Sequence, residues 1–75
     1  MQEKLTITEK LEQCRKLLDQ AEEYAYDGFY DESNSTWSRA AEIAIQLIRD
    51  NSEDLFLEQE YRFLKTIINH ITEED

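Results

Sequence analysis

A single glycine, Gly28, stands between two long stretches of helical periodicity in a chain with no proline. Glycine enters left-handed backbone at little cost, so a lone glycine in such a setting reads as the end of one helix and the elbow before another. Ala21, Ala25, Ser33 and Ala40 flank it with small side chains, and Tyr24, Tyr26, Phe29, Tyr30 and Trp37 with large rings. Two antiparallel helices joined at that elbow would approach closely through the small residues.

Before the glycine, Ile7, Leu11, Cys14, Leu18, Ala21 and Ala25 recur at steps of four and three, which is one helical face; Leu17 and Tyr24 widen it. Thr6 and Glu9 have the spacing of a capping box, so the pattern predicts a helix over 7–26. Beyond the glycine it predicts a second helix over 30–49, with Trp37, Ala40, Ala41, Ala44, Leu47 and Ile48 inward. Ile43 and Ile45 lie partly off that stripe, as expected of a central helix with neighbours on both flanks. Asp50–Asp54 reads as a second break, where Asn51 or Ser52 can cap a third helix over 53–72. That helix would place Leu57, Tyr61, Leu64, Ile68 and Ile71 on one stripe, with Leu55, Phe56, Phe63 and Ile67 beside it. Short connections make neighbours antiparallel. The expectation is an all-α fold, an antiparallel up-down-up three-helix bundle forming a single small helical domain over 1–75.

A chain of 75 residues is near the lower limit for folding alone. Its one cysteine allows no internal disulfide, and no Cys–His cluster offers zinc instead. Stability must come from helix packing, from self-association or from a partner. No apolar run is long enough to span a membrane, and the N-terminus lacks the basic start and apolar stretch of a signal peptide. With a free thiol, this composition reads as cytoplasmic. Eighteen acids against eight bases give a formal charge of −10, which excludes nucleic acid and anionic membranes as expected ligands. The aromatic content and the regular periodicity argue against disorder.

Ala21, Tyr24, Gly28, Tyr30, Ser33, Trp37 and Ala40 keep the order and spacing of a tetratricopeptide repeat, and the hairpin resembles one such unit. Ser33 stands where that pattern usually has alanine. Only one unit is present, whereas solenoids need about three to bury a continuous core, so an array is not expected. With a third helix, the chain is similar to the microtubule-interacting and trafficking domain. That resemblance implies a three-helix bundle whose grooves receive short amphipathic helices.

The charges are unevenly spread. No Lys or Arg occurs from Leu17 to Ser38, while Asp19, Glu22, Glu23, Asp27, Asp31 and Glu32 do. In an up-down-up bundle Glu73, Glu74 and Asp75 would join the same pole. Tyr26, Phe29 and Phe56 are the rings expected at the surface. Exposed rings among acids mark a binding surface, here Glu23, Tyr26, Asp27, Phe29, Tyr30, Asp31 and Glu32. The expected partner is a protein, either a basic or amphipathic helix or a second copy of the chain. An alternative is an acidic inhibitor of a nucleic-acid-binding protein, such as a DNA mimic, a phage anti-defence factor, an immunity protein or an antitoxin. No metal or cofactor is expected: His70 with Glu73 and Glu74 is a lone histidine near a terminus. Cys14 reads as a small buried residue. Arg62 and His70 lie too far apart for the Arg–His pair of HEPN-type nucleases. With no nucleophile–base set or phosphate loop, the chain is not expected to be an enzyme.

Overall fold

The computed structural model describes residues 2–72. Three α-helices follow one another, α1 (Gln2–Tyr26), α2 (Tyr30–Asp50) and α3 (Glu58–Thr72), with one 3₁₀ turn at Glu53–Leu55. No strand occurs among the described residues. The helices form the expected up-down-up bundle, and α2 is its centre, packed against both α1 and α3, which meet each other more sparsely. The molecule measures 41 × 24 × 17 Å, the long dimension set by α1.

Gly28 ends α1 as a left-handed cap, with φ +87°. The Phe29 N–H donates to the Tyr24 carbonyl (2.8 Å) and the Gly28 N–H to the Ala25 carbonyl (3.2 Å). This is the paired-bond Schellman closure, which satisfies carbonyls that the helix end would leave open. A Cβ at Gly28 would meet no atom within 4 Å, so only backbone conformation opposes a side chain there. Gly28→Ala should therefore cost about 1 kcal/mol, left-handed strain less the entropy alanine removes from the unfolded chain. Gly28→Asn should cost less, because asparagine tolerates this region. Urea midpoints followed by circular dichroism check the order Gly, Asn, Ala; a neutral alanine would contradict it.

Two cross-helix hydrogen bonds fix the hairpin register. The Ser33 Oγ donates to the Ala21 carbonyl at 2.8 Å, and the Cys14 Sγ to the Ala40 carbonyl at 3.6 Å. Each helix advances seven residues between the two bonds, so α1 and α2 stay in step along this length. Ala21, Ala40 and Cys14 are fully buried, and Ser33 nearly so. Ser33 thus keeps the small size the contact needs and adds a hydrogen bond that alanine would lack. The core continues through Ile7, Leu11, Ala41, Ala44 and Leu47 to Leu64 and Ile67 of α3.

Three boundary and burial expectations are corrected. α1 starts at Gln2, not Ile7, because Gln2-Glu-Lys-Leu5 are good helix formers. Thr6 therefore lies inside the helix and is not its cap. The third helix begins at Glu58, not at 53. The chain first makes the 3₁₀ turn, with Ser52 as its N-cap, and then runs extended through Phe56, φ −107°, ψ 145°. Neighbours in extended backbone point opposite ways. Phe56, expected at the surface, is consequently 8% exposed and packs in the core, while Leu57, expected inside, is 54% exposed. Glu60 then caps α3, its Oε1 accepting the Leu57 N–H at 2.9 Å.

Burial also pushes the Cys14 thiol up to about 11. The folded protein keeps this proton while the unfolded chain loses it near 9.0. The resulting stability is complete below pH 9 and lost as pH rises through 11, about 2–3 kcal/mol in all. The wild type should therefore lose more stability between pH 8 and pH 10.5 than Cys14→Ala does, with tyrosine and lysine titrations common to both. Parallel pH profiles would refute this.

Candidate partner-binding surface at the hairpin elbow

The end of α1 and the start of α2 are positioned by the Schellman turn and by the Ser33–Ala21 bond just behind it. The described part of α3 does not reach as far. Its His70 ring stacks on Trp37, with centroids 3.9 Å apart and planes inclined by 22°. Trp37 lies seven residues into α2 and His70 two residues before Thr72, so the described part of α3 ends about 7 Å short of the hairpin tip. Glu73, Glu74 and Asp75, expected at this pole, lie outside the described residues.

On the projecting tip Tyr26 is 90% exposed, Tyr30 66% and Phe29 53%. Phe29 occupies the N-cap position of α2 without a side-chain cap bond; its carbonyl accepts the Ser33 N–H at 3.0 Å. Asp31 and Glu32 in the first turn of α2 favour the positive end of its dipole. Glu22, Glu23 and Asp27 do the reverse. They crowd the negative end of α1, whose last turn holds no basic residue. Among the described residues no elbow carboxylate joins an ion pair; the pair present is the exposed Arg62–Glu58 contact at 3.2 Å on α3.

The structure divides the seven expected site residues. Glu23, Tyr26 and Asp27 line one open groove of about 470 Å³ together with Asp19 and Glu22. Asp31 and Glu32 line another, of about 280 Å³, on a different side of the hairpin with Tyr24, Ser35, Thr36 and Arg39. Phe29 and Tyr30 line neither and sit at the tip between them. The elbow is one pole with two faces.

The set His70, Glu73 and Glu74 reaches into residues outside the described ones. The His70 ring is engaged by Trp37, and no group of three metal-ligating side chains occurs among the described residues. Arg62 lies eight residues from His70 along α3, about 12 Å away, and pairs with Glu58. Cys14 is enclosed and its thiol stays protonated at neutral pH. Sequence reasoning missed the Trp37–His70 stack, the Ser33–Ala21 bond and the Arg15 guanidinium 5.4 Å above the Phe63 ring. The Arg15 contact carries no local signal, because its partner is on a helix distant in sequence. No described helix is long and apolar enough to cross a membrane. No protein-family model, curated protein or solved structure matches this chain.

Proposed function

We propose that this protein is a small, non-enzymatic, acidic interaction module that receives a basic amphipathic helix at its hairpin elbow. The observation that supports this best is the coincidence of four exposed rings, Tyr24, Tyr26, Phe29 and Tyr30, with six carboxylates and no base between Leu17 and Ser38. Rings of this kind supply binding energy, and acids with no internal partner supply attraction and selectivity. A cytoplasmic setting suits the free, buried thiol of Cys14. Binding to a second copy draws less support, since Ile43 packs on the core and only Ile45 of the two off-stripe isoleucines is exposed.

The test is calorimetric titration with an 18-residue Lys/Leu amphipathic peptide, its Glu/Leu counterpart and a scrambled Lys/Leu control. Only the amphipathic basic peptide should bind, more weakly as salt rises, and a variant with Asp27, Asp31 and Glu32 changed to Ser should lose much of that affinity. Equal binding of basic and scrambled peptides would count against the proposal.

A second reading, an acidic inhibitor of a nucleic-acid-binding protein, draws on the α1 face. Asp19, Glu22, Glu23 and Asp27 place four carboxylates along about 12 Å of helix, near the charge spacing of one DNA strand, about 3.4 Å. Release of a bound basic protein by duplex DNA would favour it; indifference to DNA would leave the first reading.

A further inference from the structure

The two connections of the bundle differ in kind. The α1–α2 elbow is stopped by Gly28, the single glycine, held at φ +87°. The connection between α2 and α3, residues 51–57, holds neither glycine nor proline, and none of its residues has positive φ. Asn51, Ser52 and Phe56 stand in extended backbone, with ψ of 147°, 146° and 145°. Rotation at negative φ returns each to a helix. The bent form is held by local bonds. The Asn51 Nδ2 donates to the Leu47 carbonyl at 3.1 Å, the Asp54 N–H to the Ser52 Oγ at 3.4 Å and the Phe56 N–H to the Glu53 carbonyl at 3.1 Å.

Helical periodicity runs through this connection without a break. Leu55 lies seven residues after Ile48 and eleven after Ala44, on the stripe of α2. Leu57 precedes Tyr61, Leu64, Ile68 and Ile71 at four, seven, eleven and fourteen residues, and Phe56 precedes Phe63 and Ile67 at seven and eleven. Both would sit on the apolar face of a longer α3, yet the extended connection buries Phe56 and leaves Leu57 54% exposed. In one unbroken helix Leu64 comes twenty residues after Ala44, about 200° round the axis. The α3 stripe would then face away from its own hairpin.

We infer that residues 51–57 are a helix-competent hinge across which two copies of the chain exchange α3. In the exchanged dimer α2 and α3 are one helix, and each copy's α3 takes the place on the other's hairpin that its own α3 holds in the bundle. Leu64 and Ile67 rejoin the same core cluster, the Trp37–His70 stack forms between copies, and Leu57 joins the stripe that the second copy covers. α3 is the element suited to exchange, since it shares the shorter interface with α2 and meets α1 sparsely. The exchange goes beyond the interaction-module reading and needs no exposed apolar surface on α2. It gives a particle with two elbows at opposite ends, about 70 Å apart.

The experiment uses the full chain at about 1 mM, the scale of intramolecular effective concentrations. It is warmed to the foot of its unfolding transition, cooled, diluted and passed through size exclusion with light scattering. A dimer should form and persist on dilution, because α3 must leave the partner's hairpin before it can return to its own. Its ¹⁵N amide shifts should match those of the monomer except near 51–58. Glu53→Pro suits the bent form: position 53 opens the 3₁₀ turn, and Ser52 before it has φ −69°, ψ 146°, as a residue preceding proline requires. It breaks the continuous helix, so it should lower the dimer fraction about tenfold while the monomer keeps its dichroism. If that variant does not fold, the shift map decides by itself. Asn51→Ala with Ser52→Ala removes two side-chain bonds of the bent form and favours helix, so it should raise the dimer fraction. Absence of a dimer in both the wild type and the alanine variant would overturn the inference. So would a dimer that a folded Glu53→Pro variant leaves unchanged, or one whose shifts mark a surface patch away from 51–58.

Discussion

Leu64→Ala is expected to lower the free energy of unfolding by about 3 kcal/mol. Leu64 is fully buried on the single face by which α3 joins the bundle, with Ile67 one turn on. Removing it opens a cavity in the core cluster that it shares with α1 and α2 residues such as Ile7 and Leu47. A domain of this length is stable by only about 4–11 kcal/mol, so one such change consumes a large share. Thermal unfolding should fall by about 15 °C on the scale of small domains. Leu64→Met, which conserves volume, should cost under about 1.5 kcal/mol. An alanine variant within 1 kcal/mol of wild type would mean that α3 is not held by this face.

The second large effect has the opposite cause. Ala40→Leu is expected to destabilise by about 3 kcal/mol through overpacking. The Ala40 side chain is fully enclosed, and its own carbonyl receives the Cys14 thiol of α1 at 3.6 Å. A branched side chain there must push the helices apart or leave its rotamer. Ser38→Leu, exposed on the same helix, should change stability by less than about 0.5 kcal/mol. Because Cys14 and Ala40 face each other, Cys14→Ala should recover part of the loss in the Ala40→Leu background, and the recovery measures the coupling. Additive effects would show that the two helices do not meet as described.

The elbow and the core stripes of α1 and α2 were legible because one glycine and a strict four-three spacing leave little choice of phase. Ile7, Leu11, Cys14 and Ala21, all on that stripe, are the buried positions among the described side chains of α1. The third element was harder. Asp50–Asp54 contains several residues able to cap, and they obscure the fact that Glu60, three residues after Leu57, marks the true helix start. The extended residues between the turn and α3 exchange the roles of Phe56 and Leu57, an inversion that no helical wheel can produce. The acidic pole was legible by composition. Its division into two faces was not, because the Asp27-Gly28-Phe29 turn resets the angular phase between α1 and α2. Only the backbone bonds of that turn determine which carboxylates share a side.

Trp37 has a consequence for how this molecule comes apart. It is the sole tryptophan, and it stacks on His70 across the seam between the hairpin and α3. Indole emission therefore responds to the departure of α3 as well as to loss of the core, while far-ultraviolet dichroism reports helix content throughout. α1 and α2 share the longer interface and α3 the shorter. Coincident curves from the two signals would identify a single cooperative unit. An emission change that precedes the dichroism would resolve a hairpin that outlives the loss of its third helix, with the elbow still assembled at its tip.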